Sequence, residues 1–172
     1  MPGWALIALA ALIEITQDER CLRAARRLRD ETADVVERTG TYDPWGMSYA
    51  TGTLLTGLGQ LHRVTGDEKA LGLVLTILDW HIEHGRNAVG IVWSDQLEPY
   101  NLNLTLPVYA YAWYATGDEK YRDTGLELLR FTGPPGGITG VRGGGKQYRT
   151  FVPFLKVAHE AGELDDIENR MR

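Results

Sequence analysis

The stretch "TGDEK" stands at residues 65–69 and again, letter for letter, at 116–120. Looser copies flank it, "TQDER" at 16–20 and "AGELD" at 161–165, giving spacings of 49, 51 and 45 residues. A period of that size marks stacked helix pairs. Each copy follows an apolar stretch and precedes an amphipathic one.

The turn reads residue by residue as a helix stop joined to a helix start. Gly66, Gly117 and Gly162 stand where a helix must end in the left-handed conformation that glycine enters without strain. Asp67 and Asp118 then cap the next helix, and Glu68 and Glu119 fall in its first turn, where the dipole favours negative charge. Every residue of the motif is thereby assigned to architecture.

Working outward, "WALIALAALIEI", "SYATGTLLTGLGQLHRV", "LPVYAYAWYA" and "FVPFLKVAHEA" are apolar nearly all round, as inner helices are. The helices after the turns carry apolar residues at helical spacing, for example Ala70, Leu71, Val74, Ile77 and Leu78. The helix after Asp18 also carries Arg20, Arg23, Arg26, Arg27 and Arg29, read as a solvated face, with Cys21 on the buried side. The expected helices are 4–15 and 18–38, 48–64 and 67–84, 105–115 and 118–131, and 150–161 and 163–171. Pro107 and Pro153 sit near helix starts, with Thr105 and Thr150 as N-caps. The fold class is all-α, antiparallel helical hairpins in one domain over 1–172. Any sheet is confined to a short hairpin near 91–93 or 138–141.

Composition agrees with a packed globular domain: 172 residues, 44% hydrophobic and 24% charged. The net charge of −5 argues against a nucleic-acid partner. The run "WALIALAALI" at 4–13 lacks a basic leader, is followed by Glu14 and is too short to cross a bilayer, so no membrane partner is expected. One cysteine gives no disulfide framework.

In an up-down array the tight turns share one face and the long connections the other. Segments 85–104 and 132–149 exceed the usual loop length, and 39–47 is of middling length. These three carry the candidate site. "TYDPWGMSY" supplies Asp43 and Trp45; "IVWSDQLEPYNLN" supplies Trp93, Asp95, Glu98, Tyr100 and Asn101; "GVRGGGKQYR" supplies Arg142, Tyr148 and Arg149. Aromatic faces cover the apolar faces of sugars while acids and amides bind hydroxyls, so an oligosaccharide or polysaccharide ligand fits. The structural alternative has Trp45 and Trp93 folded over the core and Asp43 capping the turn before Pro44.

Two motifs fail. "GVRGGGKQ" at 140–147 has phosphate-loop spacing, but Gln147 stands where a Ser or Thr would hold magnesium. "HIEH" at 81–84 offers two histidines where zinc needs three or four ligands. His62 and His159 are read as structural. No metal and no cofactor are expected.

The segments "LHRVTGDEKALGLVLTILDW" and "AWYATGDEKYRDTGLELLRF" resemble the (α/α) toroid proteins of the six-hairpin glycosidase-like superfamily. That resemblance implies an arc of a toroid, a site on the long-loop face, and an activity of the glycoside hydrolase, polysaccharide lyase or sugar epimerase kind. It carries no catalytic motif onto this chain. In a hydrolase Asp43 would pair with Asp95 or Glu98 as acid and base or nucleophile. In a lyase Tyr148 would abstract a proton beside a carboxylate neutralised by Arg149, Arg142 or Asn101. The rival reading is a non-catalytic helical-repeat scaffold that binds protein. Four hairpins fall short of six, and the first helix has no polar flank. The expectation is therefore self-association as a homo-oligomer, or completion by missing hairpins of a larger chain.

Overall fold

The computed structural model describes residues 2–43, 49–85, 99–132, 156–160 and 162. Among these every regular element is helical: α1 (Pro2–Thr16), α2 (Glu19–Thr39), α3 (Tyr49–Thr65), α4 (Glu68–His84), α5 (Pro99–Thr116) and α6 (Glu119–Thr132). A further helical turn covers 156–160. The all-α class therefore stands.

The turns are built as their residues dictate. Asp18, Asp67 and Asp118 accept the backbone N–H of Arg20, Ala70 and Lys120 at 2.8, 3.0 and 3.0 Å. Gly66 and Gly117 adopt φ of 69° and 71° and donate to the carbonyls of His62 and Trp113 at 2.7 Å. In the first copy of the turn Gln17 takes this position, at φ 52°, with its N–H on the Ile13 carbonyl at 2.8 Å. It is the one non-glycine residue with positive φ among the described residues.

Each tight turn folds a helix back on its predecessor, and successive hairpins lie side by side. α1 packs on α2 and α3, α3 on α4 and α5, and α5 on α4 and α6. α1, α3 and α5 form one layer of parallel helices, and α2, α4 and α6 the other. Parallel direction follows from contacts at both ends. The Trp4 and Tyr49 rings meet at 6.3 Å near the starts of α1 and α3, and Glu14 receives both terminal nitrogens of Arg63 at 3.0 and 2.8 Å near their ends. Two glycines set the spacing. A Cβ on Gly3 would lie 2.5 Å from the Leu54 nitrogen, and one on Gly57 would lie 2.6 Å from Leu6 Cβ and 2.9 Å from the Gly3 carbonyl oxygen. The core between the layers holds Leu6, Leu54, Leu55, Leu58, Leu61, Ile77, Leu78, Leu106, Tyr109 and Tyr121, all fully buried. Each such side chain stabilises the fold by about 1.5–3 kcal/mol.

The lysines of the two TGDEK turns have a second use. Lys69 reaches Asp30 on α2 at 2.9 Å, and Lys120 reaches Asp79 on α4 at 3.0 Å. Asp30 and Asp79 are 49 residues apart and the lysines 51, so one clasp repeats between neighbouring hairpins. Both pairs are half-exposed and contribute about 0.2–1 kcal/mol each. Arg29, expected on a solvated face, is instead mostly buried and paired with both Asp30 and the cap Asp67.

One boundary needs correction. α5 begins at Pro99, not at 105, so Thr105 is no N-cap and Pro107 lies in the helix interior. Pro99 occupies the first helical position, where its fixed φ suits the helix and its missing N–H costs nothing. Of the expected connection 85–104, residues 99–104 are thus helical. Both suggested sheet positions lie outside the described residues, as does most of the fourth pair.

Two substitutions test this account. Gln17→Gly should raise stability by about 1 kcal/mol, because it removes a side chain from the left-handed region. Gly57→Ala should cost about 2–3 kcal/mol, because the new methyl meets packed helix rather than solvent. Urea denaturation measures both; a destabilising Gln17→Gly or a neutral Gly57→Ala contradicts it.

Candidate functional site

The long connections emerge at the end of the molecule opposite the tight turns. Asp43 is partly buried just past the C-terminus of α2. Tyr49 opens α3, and Tyr100 and Asn101 fall in the first turn of α5. Because α1, α3 and α5 are parallel neighbours, Tyr49, Tyr100 and Asn101 share one end of their layer, and Asp43 follows α2 of the other layer at that same end. Trp45, Trp93, Asp95, Glu98, Arg142, Tyr148 and Arg149 lie outside the described residues.

The described groups at this end centre on His81. It is fully buried, its Nε2 lies 3.3 Å from Thr41 Oγ1, and its Nδ1 has no hydrogen-bond partner. A bare ring nitrogen is cheaper to bury as a lone pair than as an N–H, which assigns the proton to Nε2, donated to Thr41. Burial pushes the His81 pKa down to about 4, against the opposing pull of the Asp43 carboxylate. Asp43 therefore sits beside a neutral imidazole at physiological pH. Trp80 packs edge-on to His81 and stacks on His84 at 5.2 Å. The two histidines of "HIEH" thus separate: His81 turns inward to Thr41, while His84 is exposed with Nδ1 3.2 Å from the Trp80 carbonyl. Among the described residues no group of three or more His, Cys, Asp or Glu could hold a metal. Among them too, no helix is long and apolar enough to cross a membrane.

A second feature was not singled out from sequence. A groove of about 140 Å³ runs between α3 and α5 over Gly59, against which the Tyr111 ring packs. Toward the tight turns it opens into a space of about 680 Å³ bounded by His62, Arg63, Tyr111, Tyr114, Lys156 and Glu160. His62 Nδ1 and the Tyr111 hydroxyl are 2.7 Å apart, and His62 Nε2 lies 3.5 Å from Glu68. Burial raises the Tyr111 pKa, so its phenol stays protonated in its hydrogen bond with His62. The charges here are spent on each other, with Arg63 held by Glu14 and Lys156 lying 3.7 Å from Glu160. His62, expected to be structural, is hydrogen-bonded within the helix layer.

No protein-family model matches this chain, nor does any curated protein.

His81 makes stability depend on pH. With a pKa near 4 in the fold and 6.5 when unfolded, the unfolded chain takes up the proton first as pH falls. The stability present above pH 6.5 is therefore lost between pH 6.5 and 4, by about 3 kcal/mol from this group. His81→Gln, which keeps a donor near Thr41, should lose correspondingly less stability than the wild type between pH 7 and 4 by urea denaturation. An equal loss would show that His81 is not held neutral by burial.

Proposed function

We propose that the chain is a carbohydrate-processing domain of the glycoside hydrolase or polysaccharide lyase type, an arc of an (α/α) toroid with its saccharide at the long-loop end. The observation that supports this best is the parallel alignment of α1, α3 and α5. It brings the starts of these helices together, and in the sequence the connections that hold Asp43 and Trp45, and Trp93, Asp95 and Glu98, lead into α3 and α5. Trp45 and Trp93 supply flat faces for the sugar, and Tyr100, Asn101 and Arg142 its polar contacts. In a hydrolase Asp43 works with Asp95 or Glu98, and carboxyl separations of about 5–5.5 Å or about 6.5–9.5 Å give retention or inversion. In a lyase Tyr148 takes the proton and Arg149 neutralises the substrate carboxylate. The tight-turn end, whose residues are consumed by capping and clasping, has no part in the chemistry.

The other reading, a scaffold that binds protein, is favoured by one observation: α1 exposes Trp4, Leu12 and Ile15.

Replacing Trp45 and Trp93 together with alanine should abolish binding in affinity electrophoresis against a panel of neutral and uronate polysaccharides. Helical circular dichroism should be unchanged. Retention by the double variant, or no retention of the wild type by any polysaccharide, removes the saccharide reading.

A further inference from the structure

The outward half of α1 is apolar throughout. Its buried side is Gly3, Leu6, Ala10 and Ile13. The opposite side presents Trp4, Ala5, Ala8, Ala11, Leu12 and Ile15, all exposed, with Trp4 at 51% and Ile15 at 80%. This is not how the chain writes a solvent face: the exposed side of α2 is charged along its length. Trp4, Ala8, Ala11 and Ile15 follow each other at intervals of four, three and four, the spacing of a helix–helix seam. The large residues stand at its ends and the small ones in its middle.

We propose that this edge of the molecule, formed by α1 and α2, pairs with the same edge of a second copy about a two-fold axis. A two-fold perpendicular to the helix sets α1 antiparallel to α1 of the second copy. Centred between Leu9 and Ala10, it lays Trp4 beside Ile15 and Ala8 beside Ala11 of the other copy. The seam is therefore complementary to itself, as an isologous interface must be. α1 has no acid in its first turn and no base in its last. An antiparallel neighbour offsets both bare helix ends, because opposite dipole ends then meet.

Charge selects the same axis. Arg20 occupies the turn position filled by Lys69 and Lys120 in later hairpins. Each lysine clasps an acid on the neighbouring outer helix, Asp30 or Asp79. Arg20 is instead 83% exposed and folds back on its own cap, Asp18. The seam centre lies about eight residues before the α1–α2 turn, which is level with a point about eight residues after it, between Ala25 and Arg26. Arg20 and Glu31 lie equally far on either side of that point. The two-fold that closes the seam therefore brings Arg20 level with Glu31 of the second copy, twice over. Glu31 is itself exposed, with Arg27 on its own helix 3.0 Å away.

The test is the mass of the intact chain by light scattering across a concentration series. The expected particle is about 38 kDa, twice the 19.2 kDa chain. Ala8→Arg, at the middle of the seam and exposed in the single chain, should give a folded monomer. Arg20→Glu and Glu31→Arg should each weaken the dimer about tenfold, since each reverses two symmetric contacts. The double variant should recover to within about threefold of wild type. A wild-type monomer at every concentration overturns the proposal, leaving another protein or a further hairpin as what covers α1. A dimer that survives Ala8→Arg, or a double variant weaker than either single one, overturns it as well.

Discussion

The close contact of α1 with α3 is the constraint on which the other contacts depend. With no side chain on Gly3 or Gly57, the two backbones approach closer than any Cβ would permit. Leu6 then drops against Gly57, and the leucines of α3 are left to pack toward the outer layer. The same approach fixes the relative height of the hairpins. Once α1 and α3 are level, Glu14 meets Arg63 and Trp4 meets Tyr49, and both ends of the layer are in register. α5 joins by a looser version of the same contact, with Gly59 receiving the Tyr111 ring instead of a backbone.

The outer layer is held differently. α2 and α4 approach each other at few points, and polar groups join them there. Arg29 binds the cap Asp67, Lys69 reaches Asp30, and Thr41 meets His81. One level on, Tyr121 donates to Asp79 at 2.9 Å and Lys120 lies beside it at 3.0 Å. The five letters of TGDEK therefore do three jobs. Glycine ends one helix, aspartate starts the next, and lysine ties that next helix to the preceding hairpin.

Much of this fold was legible in the sequence because the repeat writes its own register. The caps Asp18, Asp67 and Asp118, the left-handed glycines and the order of helices follow from five-residue copies about fifty positions apart. The contacts between hairpins are legible by the same rule. Glu14 and Arg63 stand two residues before equivalent turns and carry opposite charge, so parallel packing had to pair them. What misled was proline. Pro107 looked like a helix start because proline is favoured there, but Pro99 holds that place and the helix runs through the second proline. Single-helix reasoning cannot choose between two prolines eight residues apart, because either is acceptable at a first turn. His81 illustrates the opposite limit. Its spacing from His84 suggested a shared face, while the fold around Thr41 and Trp80 divides the pair between core and surface. The candidate site was legible as composition only: aromatics, acids and amides gathered in three connections, of which Tyr100 and Asn101 fall in the first turn of α5 and Asp43 just past the end of α2.

On the proposed function, the tight turns form an architectural end and the long connections a chemical end. Hydrogen exchange with and without a bound polysaccharide tests that division most directly. The account predicts slowed exchange in the first turns of α3 and α5, at Tyr49 and Tyr100, and in the connections leading to them. It predicts no change at the tight turns around Gly66 and Gly117. Protection confined to the tight turns, or spread along the groove from Gly59 to His62, would contradict it and move the site to the other end of the helix layer.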